Sequence, residues 1–118
     1  MKDEKDLRRR TFEFGLRIIQ LYLAAKQNRD AWDLARQFVR SGTSVGAHYR
    51  EAHRARSNAE FISKMEGALQ ELDETAYWLE LLSASSLLNP ATAAPVIAEA
   101  DELIRIFVTC VKNAKERD

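Results

Sequence analysis

The strongest constraint on this chain is an apolar spacing that persists, in alternating steps of three and four, through two consecutive stretches. Because an α-helix has 3.6 residues per turn, such steps return to the same side of the helix. The spacing therefore predicts two long helices, each with one apolar face. The first stretch contains Ala31, Ala35, Phe38, Gly42, Val45, Tyr49 and Ala52, and the second contains Ile62, Met65, Leu69, Leu72, Ala76 and Leu79.

The flanking segments, residues 7–26 and 96–115, carry the same periodicity. The segment from Ser57 to Glu60 matches a capping box that starts the third helix. We predict an all-α fold, an antiparallel up-down four-helix bundle that occupies residues 1–118 as one domain and assembles into a homo-oligomeric ring. The predicted helices span about 7–27, 31–56, 58–84 and 94–115. The last begins near Pro95, with an earlier turn at Asn89-Pro90 as the alternative.

Charge and cysteine content limit the classes of partner. Eighteen basic and eighteen acidic side chains cancel, so no global field draws the chain to nucleic acid or to an anionic membrane. Cys110 is the single cysteine, which fits a reducing compartment. The first ten residues lack the apolar core of a signal peptide, and no apolar run approaches the ~20 residues of a membrane span. We expect a cytoplasmic protein without a membrane partner.

The segment Arg40-Ser41-Gly42-Thr43-Ser44-Val45-Gly46 has the composition of a loop. A phosphate-binding loop is one interpretation, but the segment lacks the Gly-Lys-Ser/Thr ending and has no strand before it. The apolar spacing also keeps its phase through the segment, whereas a loop normally resets it. We predict one continuous helix, in which Gly42 and Gly46 let a neighbouring helix approach closely.

The first helix has more apolar surface than a bundle helix needs. One stripe is Phe12, Leu16, Ile19 and Leu23, and a second, nearly opposite, is Phe14, Ile18, Leu21 and Ala25. A surface helix of a monomer needs only one apolar face. We therefore predict that the second stripe contacts another subunit; the alternative is a central helix buried on both sides. The predicted subunit interface comprises Phe14, Ile18, Leu21, Tyr77, Trp78 and Leu81.

The usual signatures of catalysis and metal binding are missing. Neither His48 nor His53 follows a glutamate by three residues, as di-iron bundles require. Cys110 lies among apolar residues, where an inert thiol is expected. Ser41 and Ser44 lie within helical reach of His48, but that helix offers neither an orienting acid nor an oxyanion site. We expect no enzyme, no metal and no cofactor; an enzyme whose site forms between subunits is the least favoured hypothesis.

Arginines form the most informative charged pattern. On the second helix they fall within about 80° of arc at 100° per residue, and no acidic residue lies within that arc. The arginine fork suits phosphate oxygens, so this arginine stripe predicts binding to RNA or DNA, above all if repeated around a ring. The alternative is a solvated face whose arginines pair with carboxylates of a neighbouring helix. The arginine stripe consists of Arg29, Arg36, Arg40, Arg50 and Arg54.

Several segments together carry a family signature. They are Phe12-Glu13-Phe14-Gly15-Leu16-Arg17-Ile18-Ile19, the 40–47 segment followed by Tyr49-Arg50-Glu51-Ala52, Glu60-Phe61-Ile62 with Lys64, and Glu74-Thr75 with Tyr77-Trp78-Leu79. In these segments the chain resembles the bacterial four-helix-bundle proteins encoded in intervening sequences of large-subunit (23S) rRNA genes. It is also similar, more distantly, to the accessory protein of diversity-generating retroelements.

The resemblance implies a cytoplasmic homopentameric bundle whose molecular function is not established. The retroelement relative binds nucleic acid and a reverse transcriptase, so the resemblance adds RNA or DNA and a partner protein to the expected partners. Two main hypotheses follow. The first is a non-enzymatic nucleic-acid-binding accessory protein that uses the arginine stripe, and the alternative is a structural or protein-interaction module with no nucleic-acid role.

Overall fold

Four α-helices make up nearly all of the computed structural model, which describes the backbone of residues 2–117 and the side chains of residues 7–117. No strand occurs in this part of the chain, so the all-α prediction is confirmed. The helices are α1 (Lys2–Ala25), α2 (Trp32–His53), α3 (Asn58–Ala84) and α4 (Pro90–Glu116), and a single 3-10 turn (Arg29–Ala31) precedes α2.

The helix α3 has the predicted bounds, and a side chain caps its first turn. The Ser57 hydroxyl accepts a hydrogen bond from the Glu60 backbone N–H at 3.0 Å. The Glu60 carboxylate reaches back to the backbone N–H of Arg56, at 3.3 Å, instead of the N–H of Ser57 that a standard capping box would use.

The start of α4 lies at the earlier of the two positions that the sequence leaves open, Asn89-Pro90, and not near Pro95. The helix begins at Pro90, where the Asn89 side chain accepts from the Ala91 N–H at 2.9 Å, so the first turn is capped five residues before Pro95. Pro95 lies inside the helix on its exposed side, where water can hydrate the carbonyl that loses its partner. The start of α1 also lies earlier than predicted, at Lys2, and α2 ends earlier, at His53.

Contacts between consecutive helices run in opposite orders along the two partners. Arg40 of α2 pairs with Glu74 of α3, whereas Glu51, further along α2, pairs with Lys64 near the start of α3. The first residue of α3, Asn58, donates from Nδ2 to the carbonyl of Ala114, close to the end of α4, at 2.7 Å. Both α1 and α3 pack against α2 and α4, which places α1 and α3 on opposite sides of the core.

The glycine-containing segment 40–46 is helical throughout, as predicted, and its two glycines face α1. A Cβ atom on Gly42 would lie 2.8 Å from both Cγ1 and Cγ2 of the fully buried Ile18. One turn later, a Cβ atom on Gly46 would lie 3.5 Å from the backbone carbonyl of Thr11. The missing side chain of Gly42 therefore determines how closely α1 approaches α2.

A hydrogen-bonded pair of hydroxyl groups joins α2 to α3 inside the core. Ser41 Oγ and Thr75 Oγ1 lie 2.7 Å apart, and both residues are fully buried. Thr75 also donates to the Glu71 carbonyl at 2.7 Å, and the Ser41 hydroxyl lies 3.3 Å from the Phe38 carbonyl. Because every buried hydroxyl has partners, this pair sets the register of the two helices without an orphaned polar group.

We predict opposite effects for the same substitution at two glycines. Gly42→Ala should destabilise the fold, because overpacking against the buried Ile18 costs about 1–3 kcal/mol, which outweighs the ~1 kcal/mol gained in helix propensity. The control is Gly15→Ala in α1, where a Cβ atom meets nothing within 4 Å and only the propensity gain applies. Urea unfolding of both variants measures the difference. Equal stabilisation by the two substitutions would contradict the close packing at Gly42.

Candidate functional site

The two apolar stripes of α1 exist as predicted, but the inward and outward faces are exchanged. Phe14, Ile18 and Leu21 are only 1%, 0% and 4% exposed within a single chain. Residues buried in this way have no surface to offer another subunit, so their assignment to the subunit interface is wrong. The physical reason is the Gly42 backbone, which accommodates Ile18 and turns this side of α1 toward the core.

The opposite side of α1 lies in solvent and forms a continuous apolar surface. Isolated apolar side chains on a surface are ordinary, whereas a contiguous row along three turns of one helix marks an interaction site. We call this row the exposed apolar face. It consists of Phe12, Leu16, Ile19 and Leu23, with exposed fractions of 55%, 47%, 41% and 48%.

A second apolar patch lies near the end of α3. Tyr77 and Leu81, one turn apart, are 56% and 39% exposed. Trp78 is partly buried, and its indole Nε1–H donates to Glu74 Oε2 at 3.1 Å. Tyr77 and Leu81 thus keep the accessibility that a subunit interface needs, while Trp78 packs against the core.

Two members of the arginine stripe pair with carboxylates. Arg36 binds Asp33, one turn earlier on α2, at 2.8 Å. Arg40 crosses to α3, where it binds Glu74 and lies 3.7 Å from Glu71. The alternative interpretation of the arginine stripe, pairing with neighbouring carboxylates, therefore holds for these two residues.

The hydrogen bond from Trp78 and the pairing with Arg40 lower the pKa of Glu74, against the opposing effect of burial. Glu74 therefore stays ionised to lower pH than an ordinary glutamate. Its carboxylate connects α2, through Arg40, with the next turn of α3, through Trp78. This end of the arginine stripe is anchored to the fold.

The other end of the arginine stripe faces α1. The Arg50 guanidinium lies 5.9 Å from the centre of the Phe12 ring, within the range of a cation–π contact. Arg8 and Arg9 line the same surface depression as Phe12 and Arg50. This depression thus brings three positive charges next to one exposed aromatic ring.

A second depression continues from Arg50 around the end of α2. It is lined by Arg50, Glu51, Arg54, Arg56, Glu60 and Lys64. Within residues 7–117, neither Arg50 nor Arg54 forms an ion pair with a carboxylate. Arg29 lies apart from this group, exposed in the 3-10 turn before α2.

The histidines take part in packing. His48 lies over Gly67 of α3, where a Cβ atom would come within 3.3 Å of the ring. Its Nδ1 is buried without a hydrogen-bond partner, and its Nε2 lies 3.7 Å from Glu71 Oε2. His53 stacks on Tyr49, with ring centres 6.3 Å apart. Over the part of the chain that the structure describes, no group of three or more His, Cys, Asp or Glu side chains is arranged to hold a metal ion.

Comparison with known proteins identifies a family and a related solved structure. The family model of the 23S rRNA-intervening sequence protein matches residues 4–109, which is most of the chain. The chain belongs to the 23S rRNA-intervening sequence protein family. This membership confirms the resemblance carried by the 40–52, 60–64 and 74–79 segments.

A solved structure shows the same fold. The chain is similar to a protein of unknown function from the S23 ribosomal protein family of Bacteroides thetaiotaomicron, with 34% sequence identity and a TM-score of 0.85. The similarity covers 90% of this chain and 98% of that one. The comparison with curated proteins finds no match. None of the helices described here is both long enough and apolar enough to cross a membrane.

Sequence reasoning missed which α1 stripe is exposed and how the arginine stripe divides. For the first, the glycines at 42 and 46 mark the side of α2 that α1 approaches, but not the stripe of α1 that meets them. The division of the arginine stripe into paired and unpaired residues had no signal in the sequence. Whether Arg40 meets Glu74, or Arg50 meets Phe12, depends on the register between helices.

Proposed function

We propose that this protein is a cytoplasmic, non-enzymatic accessory protein that assembles into a ring and binds nucleic-acid phosphates. The observation that carries the proposal is a basic cluster in which Arg8, Arg9 and Arg50 surround the exposed ring of Phe12 and Arg54 lines the adjoining depression beside Arg50. The subunit fold is an antiparallel up-down bundle, which the opposite orders of contacts between consecutive helices support.

The ring proposal is supported by the positions of two apolar surfaces. The exposed apolar face lies on α1 and the Tyr77–Leu81 patch lies on α3, on opposite sides of the subunit. They also lie at the same height along the subunit. Gly42 of α2 contacts Ile18 of α1, and the adjacent Ser41 is hydrogen-bonded to Thr75 of α3. Ile18 and Thr75 therefore lie at the same position along the bundle axis, and so do their neighbours Ile19 and Tyr77.

Two different surfaces at one height favour a head-to-tail contact. When the α1 face of one copy meets the α3 patch of the next, each copy uses both surfaces once, and a closed ring leaves neither in water. An interface between identical surfaces would hide only one of the two. We propose five copies, the number that the family resemblance implies.

The nucleic-acid proposal assigns binding to one end of the arginine stripe. Glu51 and Glu60 line the same depression as Arg50 and Arg54, but neither arginine forms an ion pair with a carboxylate of residues 7–117, and Arg8 and Arg9 add charge from α1. Guanidinium forks recognise phosphate oxygens, and an aromatic ring beside them offers a surface for a base. Arg36 and Arg40 take a smaller part in this cluster, because neither lines the two depressions and each already pairs with a carboxylate.

The alternative is a protein-interaction module without a nucleic-acid role. It is favoured by the zero net charge and by the carboxylates that pair with Arg36 and Arg40. In that case the two apolar surfaces would account for the whole function. The two hypotheses differ in whether the protein binds RNA at low salt.

For the ring, we predict that Leu16→Glu/Ile19→Glu lowers the mass in light scattering to that of a single 13.5 kDa chain. Buried charges without partners oppose association strongly, while the fold is unaffected because both positions are exposed in the subunit. Val108→Glu, an equally exposed position on α4, is the control and should keep the wild-type mass. A double variant that stays at the wild-type mass would refute the α1 interface.

For nucleic-acid binding, we predict that Arg50→Ala/Arg54→Ala weakens binding of a short single-stranded RNA and lowers the slope of log K against log salt by about 1.4, since each phosphate contact contributes about 0.7. Arg105→Ala/Lys112→Ala removes the same charge from α4 and should leave the slope unchanged. A slope that is the same in both variants would remove the proposed site. No binding by the wild type at low salt would favour the interaction module.

A further inference from the structure

At the connection between α1 and α2, an exposed tryptophan is held in a fixed position. Trp32 is 52% exposed, yet its indole Nε1–H donates to the backbone carbonyl of Lys26 at 2.6 Å. This hydrogen bond fixes one edge of the indole against the end of α1 and leaves much of the ring surface in water. An aromatic side chain held in this way loses little conformational freedom when a flat ligand stacks on it.

Trp32 forms one wall of a cleft with mixed aromatic and cationic character. The cleft has a volume of about 330 Å³ and is lined by Tyr22, Lys26, Trp32 and Arg36. We call it the Trp32 cleft. Tyr22 is partly buried against the core, and the Lys26 ammonium lies 6.0 Å from the centre of the Tyr22 ring.

The charges of the Trp32 cleft suit a phosphate next to a flat ring. Lys26 supplies one positive charge at the end of α1. Arg36 pairs with Asp33 through one nitrogen at 2.8 Å, and the remaining donors of its fork can bind a second acceptor. Asp33 reduces the positive potential of the Trp32 cleft. The cleft is therefore better suited to one nucleotide, with its base on the ring and its phosphate on the cations, than to a run of backbone phosphates.

We propose that the Trp32 cleft binds a nucleotide, with the base stacked on Trp32 and the phosphate on Lys26 and Arg36. The inference goes beyond the proposed function, since the cleft lies at the opposite end of α1 from the basic cluster around Phe12. The nucleotide is either a free mononucleotide or an unpaired nucleotide within a strand. A paired base is excluded from stacking because its faces are covered by its neighbours.

The test uses fluorine NMR of the full chain labelled with 5-fluorotryptophan, which gives one signal each for Trp32 and Trp78. Adenosine 5′-monophosphate should shift the Trp32 signal in a saturable way and leave the Trp78 signal as an internal control. Adenosine alone should bind more weakly, and inorganic phosphate alone should not reproduce the shift. A Trp32 signal unmoved by the mononucleotide and by single-stranded oligoadenylate would overturn the proposal.

Two variants separate the contributions of ring and charge. Trp32→Leu should weaken binding of the mononucleotide about tenfold or more in calorimetry, because base stacking is lost. Lys26→Ala should weaken it severalfold, and Lys112→Ala on α4 should have no effect. The Trp32→Leu chain should also keep the wild-type mass in light scattering; a lower mass would assign Trp32 to a subunit contact and overturn the proposal.

The source of the nucleotide follows from a comparison of probes. A shift of Trp32 by the mononucleotide but not by oligoadenylate identifies a free nucleotide as the ligand, and the reverse identifies a strand. Both outcomes support the site, whereas an equal shift with duplex RNA would contradict base stacking. Arg50→Ala/Arg54→Ala should leave mononucleotide binding intact, so failure of the basic cluster is distinguishable from failure of the Trp32 cleft.

Discussion

Ile18 packs directly against the backbone of Gly42, and this close approach decides which side of α1 lies in the core. With Ile18 inside, Phe14 and Leu21 follow it into the core, and the opposite row from Phe12 to Leu23 is left in water. The adjacent Ser41 bonds Thr75, so one turn of α2 sets the positions of both α1 and α3. The surfaces proposed for assembly follow from that single turn.

This arrangement gives a physical meaning to the segment that carries much of the family resemblance. Ser41 bonds a hydroxyl of α3, while Gly42 and Gly46 accommodate α1. The side chains of Thr43 and Ser44 bond carbonyls one turn earlier on their own helix, Val39 and Arg40. The segment has the composition of a phosphate-binding loop, but in the structure it packs α2 against α1 and α3. In this chain the segment joins helices, and family membership does not by itself identify a reaction.

Much of the fold could be predicted because helical periodicity is a local property. The apolar spacing of α2 and α3 is strong, and the Ser57 cap fixes where α3 begins. The start of α4 was misplaced because a proline interior to a helix is costly, yet Asn89 caps an earlier turn and Pro95 faces solvent. The choice between the stripes of α1 was harder, since each has four apolar residues and only the partner helix distinguishes them.

The candidate sites were less predictable, because they depend on which side chains meet across helices. The arginine stripe is regular in sequence, yet Arg40 forms an ion pair with a carboxylate of α3 and Arg50 lies over an aromatic ring of α1. The Trp32 cleft joins residues from both sides of a connection, and no spacing rule relates them. Charge patterns on one helix thus indicate where binding is feasible, and the neighbouring helices determine which charges are left for a ligand.

Disulfide cross-linking between copies tests the central claim most directly, because it reports which surfaces meet. In a Cys110→Ser background, Ile19→Cys and Tyr77→Cys place thiols on the two apolar surfaces at one height. In a head-to-tail ring, a chain with both substitutions forms a ladder of linked copies on mild oxidation, while each single variant stays unlinked. A double variant that remains unlinked, or an Ile19→Cys chain that links to itself alone, would contradict the head-to-tail ring.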